Sequence, residues 1–403
     1  MSTGIPLKQI YIVLENGDRP EETYTCGQKV KGAVVTKTTK GFTTLSIRLR
    51  GVVRTSVTHS SGDNHTSTAR GKAILFEYSH VLSHSLSNSG NGQTQTWPFE
   101  FVFPFEALPA VQREKWREHE RFHHLPGHQL PPTWSSERDR QSVSYYLEAI
   151  ALKPSSLFHS KTKEKVPLLF MPCRYVEHPD HQPLIGMRSF TRSSRKLDPA
   201  LTKQHYSFKE KARHLFGTSL PSEPRSSFRI HFEVPRVICA NQDLPIVLGI
   251  EHNLASSTSR EIPVIYLQQI HATLNEYTYV RARNYVRDSR EKIMIESKLA
   301  MKIPMYERMN LSTDIQGITL KIPSHVVSAF KTYSITKFYE LKVKVVVSCA
   351  QKDYEVDLGR QGLDILPSLY RHPANGVTAE EGQVPPYASI GEYLPSYEVA
   401  ATM

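Results

Sequence analysis

The chain has 403 residues, 39% of them hydrophobic, and a formal net charge of +11 at pH 7. This length predicts two or three domains rather than one. The four cysteines are far apart and form no C-x-x-C pair, which argues against a disulfide-built secreted protein and favours the reducing cytosol. We find no signal peptide at the start of the sequence and no run of ~18 apolar residues that could span a membrane. The positive charge favours acidic partners: nucleic acid, an anionic membrane surface or acidic protein segments.

Alternation of apolar and polar residues is the main structural signal in the first half of the chain. Every second residue is apolar in 45–50 (LSIRLR), and the pattern recurs in 97–103 (WPFEFVF) and 143–149 (VSYYLEA). Strands with one buried face and one solvent-exposed face are typical of antiparallel sheets. We therefore predict an all-β domain over residues 1–177.

The same alternation returns in the second half, in 228–234 (FRIHFEV), 318–322 (ITLKI) and 341–345 (LKVKV). It predicts a second all-β domain over residues 226–366. Each block has the size of a β-sandwich, so the predicted fold is two tandem immunoglobulin-like β-sandwiches. Residues 367–403 have no strand periodicity, and we predict that they form a disordered tail.

A basic segment separates the two blocks, and residues 178–225 are predicted to be a linker. Residues 188–225 contain nine Lys or Arg against three acidic residues. One interpretation is a solvated linker, and another is a segment attracted to anionic lipid headgroups, at roughly 1 kcal/mol per cation. No aromatic ladder or groove-reading motif accompanies these charges, which argues against nucleic acid. The membrane-binding residues in the second interpretation are Arg188, Arg192, Arg195, Lys196 and Lys203.

The sequence contains none of the nucleophile, phosphate-binding, dinucleotide-binding or zinc motifs of common enzymes. Helical periodicity over 111–124 would place His119 and His123 on one face of a helix. Metal binding needs three or four converging ligands with support behind them, and the histidine-containing stretches are polar and interrupted by proline. We therefore predict no enzyme, no metal and no cofactor. The histidine groups considered are His119, His123, His124 and His128, and His178 and His181 with Asp180.

The N-terminal block resembles the arrestin N-terminal domain. Residues 24–51 read like its second and third strands, with Gly27, Val30 and Gly32 preceding an alternating strand that ends at Gly51. The stretches WPFEFVFPFEALP, LPPTW and SVSYYLEAIAL are similar to the later part of that domain. The resemblance implies an arrestin-like sandwich at this end of the chain.

The second block is similar to the arrestin C-terminal domain. Residues 228–253 resemble its opening hairpin and residues 335–358 its closing strands, so that the likeness extends over roughly 5–366. Together with Pro-x-Tyr units near the C-terminus, the chain most resembles the α-arrestin branch, the arrestin-related trafficking adaptors. It departs from that pattern in a histidine-rich insert at 111–128 and in the long basic linker.

Two Pro-x-Tyr units lie in the predicted tail. Proline presets the polyproline II backbone that WW domains bind, and tyrosine adds a large amphipathic ring. A third unit, Pro304-Met305-Tyr306, falls inside the second predicted domain, where we expect Tyr306 to be an inaccessible core ring. The predicted WW-binding residues are Val384, Pro385, Tyr387, Leu394, Pro395 and Tyr397.

The resemblance implies an adaptor that recruits a WW-domain HECT-type ubiquitin ligase to membrane transporters or receptors and promotes their ubiquitination and endocytosis. The expected location is the cytoplasm, peripherally at the plasma membrane or endosomes, and an anionic membrane surface is a further expected partner. Two alternatives are a retromer-like sorting subunit with an arrestin fold, and a β-sandwich hydrolase. The hydrolase is disfavoured because we find no catalytic constellation.

Overall fold

The computed structural model shows an almost entirely β-stranded chain, as predicted from the alternating sequence. The described residues are 10–15, 23–37, 42–60, 66–83, 94–108, 118–136, 139–153, 160–172, 182–198, 201, 223–259, 261–297, 302–315 and 320–367. Within them, the strands form two sandwiches in succession along the chain. The prediction of two tandem β-sandwiches is confirmed.

The first sandwich packs a three-stranded sheet, in the order β1-β3-β6, against a larger sheet in the order β2-β9-β8-β4-β5, with β7 beside β8. Apolar side chains at every second position fill the space between the sheets, as in β4, where Leu45, Ile47 and Leu49 are completely buried. The strands are β1 Ile10–Leu14, β2 Thr23–Tyr24, β3 Lys29–Thr36, β4 Thr44–Ser60, β5 Thr66–Ser83, β6 Gln95–Val102, β7 Trp134–Ser136, β8 Gln141–Lys153 and β9 Ser160–Phe170.

The second sandwich packs a sheet in the order β10-β11-β13-β17 against one in the order β12-β20-β19-β14-β15, with β16 beside β14 and β18 beside β19. The strands are β10 Leu184–Ser193, β11 Arg225–Val234, β12 Val237–Cys239, β13 Val247–His252, β14 Tyr266–Ala282, β15 Tyr285–Ser297, β16 Ile303–Pro304, β17 Met309–Asn310, β18 Phe330–Lys331, β19 Ile335–Cys349 and β20 Lys352–Leu366. Two 3-10 turns and a short helix complete the described elements: Arg195–Leu197, Leu254–Ser256 and α1 Leu311–Asp314.

Two details of the sequence prediction need correction. The predicted linker 178–225 contains β10, which pairs with β11 along its whole length and so belongs to the second sandwich. Gly186 fits β10 against its neighbours, since a β-carbon there would lie 2.1 Å from the Phe232 ring. An edge strand keeps most side chains in water and therefore shows little periodicity. In the predicted strand 318–322, the described residues make only an isolated bridge, at Lys321.

The two sandwiches meet at a closely packed joint. Tyr333, in the β18–β19 turn of the second sandwich, and Ile335, the first residue of β19, are buried in the core of the first. The Thr55 hydroxyl on β4 donates a 2.7 Å hydrogen bond to the carbonyl oxygen of Arg281 at the end of β14. The Arg281 guanidinium donates to the Tyr333 carbonyl and lies 4.6 Å from the centre of the Phe122 ring. These contacts attach each sandwich to the other through buried groups.

Candidate functional site: a basic sheet face on the first sandwich

Strand alternation turns the basic residues of β4 to one side of the six-stranded sheet. While Leu45, Ile47 and Leu49 point into the core, Arg48 and Arg50 point outward. The neighbouring strands β5 and β9 contribute lysines to the same face because their registers with β4 and β8 align them across the sheet. We call this surface the basic face, and its cations are Arg48, Arg50, Arg54, Lys72, Lys161, Lys163 and Lys165.

The strand registers bring these cations close together. Arg54 lies directly opposite Lys72 on β5, whereas Glu148 on β8 lies between Arg48 and Lys165. Glu77 is the second carboxylate on this face, opposite Arg50. Seven cations therefore surround two carboxylates on four adjacent strands. The basic face is strongly positive by charge alone.

The two carboxylates neutralise only part of the basic face. Arg50 Nε lies 2.8 Å and Arg48 Nη1 3.4 Å from Glu77, and Lys163 Nζ lies 3.9 Å from Glu148. Among the described residues, no carboxylate lies within 4.0 Å of the ammonium group of Lys72 or Lys165. An excess of cations thus faces solvent without close counter-charges from the described chain.

The pKa values of two lysines reflect this crowding. Burial lowers the pKa of Lys72, and the nearby positive charges of Arg50 and Arg54 lower it further. Burial likewise lowers the pKa of Lys165, whose ammonium lies 3.5 Å from the centre of the Tyr146 ring, and Arg54 adds to the effect. Positive charges on neighbouring strands repel one another, and a bound anion would relieve this repulsion. The basic face is therefore suited to binding an acidic or phosphorylated segment.

The basic residues assigned to the linker lie in a different place. Arg188 and Arg192 are on β10, and Arg195 and Lys196 are in the following 3-10 turn. Lys196 Nζ donates a 2.7 Å hydrogen bond to the Gln351 side chain, so this turn is attached to the second sandwich. Lys203 lies outside the described residues. The described members of this group lie on the second sandwich, not on a free linker.

The remaining predicted site residues have varied outcomes. Residues 118–124 form turns and bends rather than the predicted helix, and they pack against the joint. Among the described residues, no group of His, Cys, Asp and Glu is arranged to hold a metal ion.

The six predicted WW-binding residues lie outside the described residues, and so do His178, Asp180 and His181. Within the described part of the chain, no helix is long and apolar enough to cross a membrane.

The prediction for Tyr306 is wrong. Its side chain is 63% exposed, whereas the preceding Met305 is 7% exposed and belongs to the core of the second sandwich. Both residues follow the end of β16, and the Met305 amide still donates a 2.8 Å hydrogen bond to the Ile265 carbonyl. The Met305 side chain lies on the core side of this extended segment and the Tyr306 side chain on the solvent side. Tyr306 therefore stands on the surface, and its ring is absent from the core cluster.

Comparison with known proteins identifies the first sandwich. Residues 13–168 match the family model described as Arrestin (or S-antigen), N-terminal domain. The match begins within β1 and ends near the end of β9, so it spans nearly all of that sandwich. The first sandwich is therefore similar to the arrestin N-terminal domain. A search of curated proteins gave no match.

Alternation marks charged sheet faces as well as buried ones, and only the buried faces were predicted from the sequence. Lys161, Lys163 and Lys165 recur at every second position, as do Arg48 and Arg50. That spacing places like charges on one face of a strand. The pairing of β9, β8, β4 and β5 then joins the two groups, which a single sequence does not reveal.

Proposed function

We propose that this protein is an adaptor of the α-arrestin type, which binds membrane cargo and recruits a WW-domain HECT-type ubiquitin ligase to it. The observation that carries the proposal is the basic face on an arrestin-type N-terminal domain. The chain itself catalyses no reaction in this proposal. It brings the ligase and its substrate together, which leads to ubiquitination and endocytosis of the cargo.

The basic face is the proposed cargo site. Cytoplasmic segments of transporters and receptors that carry several Asp or Glu residues, or phosphate groups, complement its charge. Arg54 donates a 3.1 Å hydrogen bond to Ser144 Oγ, which orients one guanidinium on the face in advance. An arginine whose planar guanidinium is already oriented can donate two parallel hydrogen bonds to a carboxylate or phosphate group.

Ligase recruitment is assigned to the tail. The two Pro-x-Tyr units each lack the first proline of a full Pro-Pro-x-Tyr motif, because Val384 and Leu394 occupy that position. Each unit alone should bind weakly, and two units on one tether raise the effective concentration of the second. The adaptor is proposed to act in the cytoplasm, peripherally at the plasma membrane or endosomes.

The two alternatives are less well supported. A retromer-like sorting subunit would use the same fold without needing Pro-x-Tyr units. A β-sandwich hydrolase would need converging catalytic groups. On the basic face seven cations outnumber the two carboxylates, Glu77 and Glu148, which suits charge recognition rather than acid–base catalysis.

The cargo site can be tested by reversing charge on the full-length chain. Lys72→Glu with Lys165→Glu should weaken binding of a fluorescent Glu-rich peptide at least tenfold, measured by anisotropy. The matched control is Lys29→Glu with Lys31→Glu, which changes the net charge equally but lies beside Glu100 on the smaller sheet. The control should bind within about twofold of wild type. Equal weakening of both variants would show that only net charge matters and would reject a specific site.

A further inference from the structure

The larger sheet of the second sandwich ends in an edge strand, β15. This strand pairs with β14 along its whole length, and within the described residues no strand pairs with its other side. Every residue from 285 to 292 is exposed. An edge strand presents unpaired backbone amides and carbonyls, which another strand can extend. β15 is therefore a candidate for contact with a further strand.

The turn of the β14–β15 hairpin determines which backbone groups of β15 point outward. Ala282 pairs with Tyr285 across a two-residue turn. Such a turn closes on a hydrogen-bonded pair, so the backbone groups of Tyr285 point toward β14 and those of Val286 point away. The direction alternates along the strand. The outward backbone groups from 286 to 292 therefore belong to Val286, Asp288, Arg290 and Lys292.

The order of charges along β15 is self-complementary. Residues 287–291 read Arg-Asp-Ser-Arg-Glu. When two copies of the strand pair antiparallel with Ser289 at the centre, Arg287 of one copy faces Glu291 of the other. In the same register Asp288 of one copy faces Arg290 of the other, and by symmetry each contact occurs twice. Opposite charges at directly opposite positions stabilise a pair of strands.

Hydrogen bonding and charge favour the same register. Pairing centred on Ser289 sets the outward backbone groups of Asp288 against those of Arg290, as an antiparallel ladder requires. A centre between two residues would set outward groups against inward groups. The two residues on either side of Ser289 are all charged, so a centre at any of them would set a charged side chain against its own copy. Like charges directly opposite each other are destabilising.

Within one chain the acidic residues of β15 lack close cations. Among the described residues, no cationic side chain lies within 4.0 Å of the carboxylate of Asp288 or Glu291. Glu291 lies directly opposite Glu276 on β14, which is a pair of like charges. Arg287 Nη1 lies 3.4 Å from Asp139, but its side chain remains 47% exposed. A guanidinium from a second copy would give Glu291 the counter-charge that its own strand pairing does not provide.

Two other edge strands do not have this pattern. β10 carries Arg188 and Arg192 and no acidic residue, so two copies of it would repel one another. β6 contains Pro98, which has no amide hydrogen to donate to a ladder. Charged side chains on an edge strand usually prevent association. On β15 their order permits one partner, which is a second β15.

Contacts within the chain hold the hairpin in place. The Tyr285 ring stacks on His59 of the first sandwich, with 3.7 Å between the ring centroids. Arg290 Nη2 donates a 2.8 Å hydrogen bond to Asn275 Oδ1 on β14. An edge that is already ordered loses less conformational freedom when it pairs.

We propose that two copies of this chain associate through their β15 strands, in the antiparallel register centred on Ser289, and so join their larger sheets into one. This contact goes beyond the proposed function. It would present two basic faces on one assembly, which raises the effective concentration of each for a cargo with two acidic segments. Edge pairing buries little surface, so the dimer should be weak, and salt should weaken it further by screening the charge pairs.

Sedimentation velocity of the full-length chain over a range of protein concentrations tests the proposal. Wild type should show a reversible equilibrium between monomer and dimer. Asp288→Arg should weaken self-association at least about tenfold, because the introduced arginine faces Arg290 of the second copy. The matched control is Asp353→Arg, which changes the net charge equally at an exposed residue near the start of β20 and should associate like wild type. Thermal unfolding shows whether each variant retains its fold.

Exchanging the two charges tests the register itself. Arg290→Asp alone should also weaken self-association, because the introduced aspartate faces Asp288 of the second copy. Asp288→Arg combined with Arg290→Asp in one chain should restore it, since each introduced charge again faces its opposite. An equimolar mixture of the two single variants should associate for the same reason.

Several outcomes would overturn the proposal. A wild-type chain that stays monomeric would do so and would leave the edge to an extended segment of another protein. A dimer that survives Asp288→Arg would be held by another surface, and equal weakening by the Asp353 control would mean that only net charge matters. A folded double variant that fails to associate would exclude this register. The Glu-rich peptide assay reports the proposed function separately, and Asp288→Arg should leave it unchanged.

Discussion

Acidification from pH 7.5 to 5 should destabilise the joint, because two of its histidines are held in the neutral form. His128 is 8% exposed and stacks on His123 with 4.5 Å between ring centroids, and its edge meets the Tyr333 ring at the same separation. Burial lowers the pKa of both histidines from 6.5 to about 4. The positive charges of Lys331 and His124 face His123 and lower its pKa further, along with His128 itself.

The direction of the change in stability follows from the pKa of His128 in the folded and unfolded protein. Because the pKa is lower in the folded protein, the unfolded chain takes up protons first as the pH falls. Stability is complete above about pH 6.5 and is lost progressively down to about pH 4. For His128 the loss between pH 7.5 and 5 is about 2 kcal/mol. His123 should add less, since it is more exposed and solvent screens its charge.

Urea unfolding at pH 7.5 and pH 5 would measure this effect. Carboxylates of ordinary pKa remain mostly ionised at pH 5, so the histidines dominate this interval. His128→Gln should reduce the pH-dependent loss by about 2 kcal/mol, even though it lowers stability at pH 7.5 by removing a packed ring. If the His128 variant keeps the full pH dependence, the joint is not the origin of the acid sensitivity.

Three other substitutions test the joint, the exposed position of Tyr306 and the tail. Tyr333→Ala removes a ring that is 2% exposed and should lower the free energy of unfolding, measured in urea, by about 3–5 kcal/mol. Tyr333→Phe should retain most of the wild-type stability, because it keeps the ring. Tyr306→Ala should change stability by less than about 0.5 kcal/mol, because its ring is on the surface, and a thermal scan checks this. Tyr397→Ala should weaken binding to a pair of linked WW domains more than about tenfold, or ~1.4 kcal/mol, and Tyr387→Ala should cost less. Calorimetric titration of the full-length chain measures both, and wild-type binding by the double variant would contradict the tail assignment.

The architecture was largely predictable because burial imposes a period of two on most strands. The core of the first sandwich contains the residues that alternate in 45–50, 97–103 and 143–149. β10 was missed because an edge strand carries Arg188 and Met187 into solvent and breaks that period. The prediction that Tyr306 is a core residue rests only on its place inside a predicted domain, and the structure shows it 63% exposed. Composition alone does not tell which side of a strand a ring occupies.

The candidate sites depend on contacts between distant segments, which explains why the sequence predicted them only in part. Lys72 and Arg54 are 18 positions apart and meet through the β4–β5 pairing. Lys196, Ile262 and Lys302 come from three separate segments and line one cleft. Cys349 is buried and Cys239 is half-buried, and both are free thiols. Local patterns define the strands, while tertiary packing determines which charges become neighbours.

The joint has a consequence for how the proposed cargo site would work. Tyr333 of the second sandwich is buried in the first core, and Thr55 of the first bonds to Arg281 of the second. A cargo segment held on the basic face would therefore be bound by a rigid unit of two sandwiches. Because this binding is proposed to depend on charge, salt should weaken it. Raising ionic strength from 0.1 M to 1 M shortens the Debye length from about 10 Å to about 3 Å. Binding of the Glu-rich peptide should then be nearly abolished, and peptide binding that persists unchanged at 1 M salt would mean that the cations of the basic face do not hold the peptide.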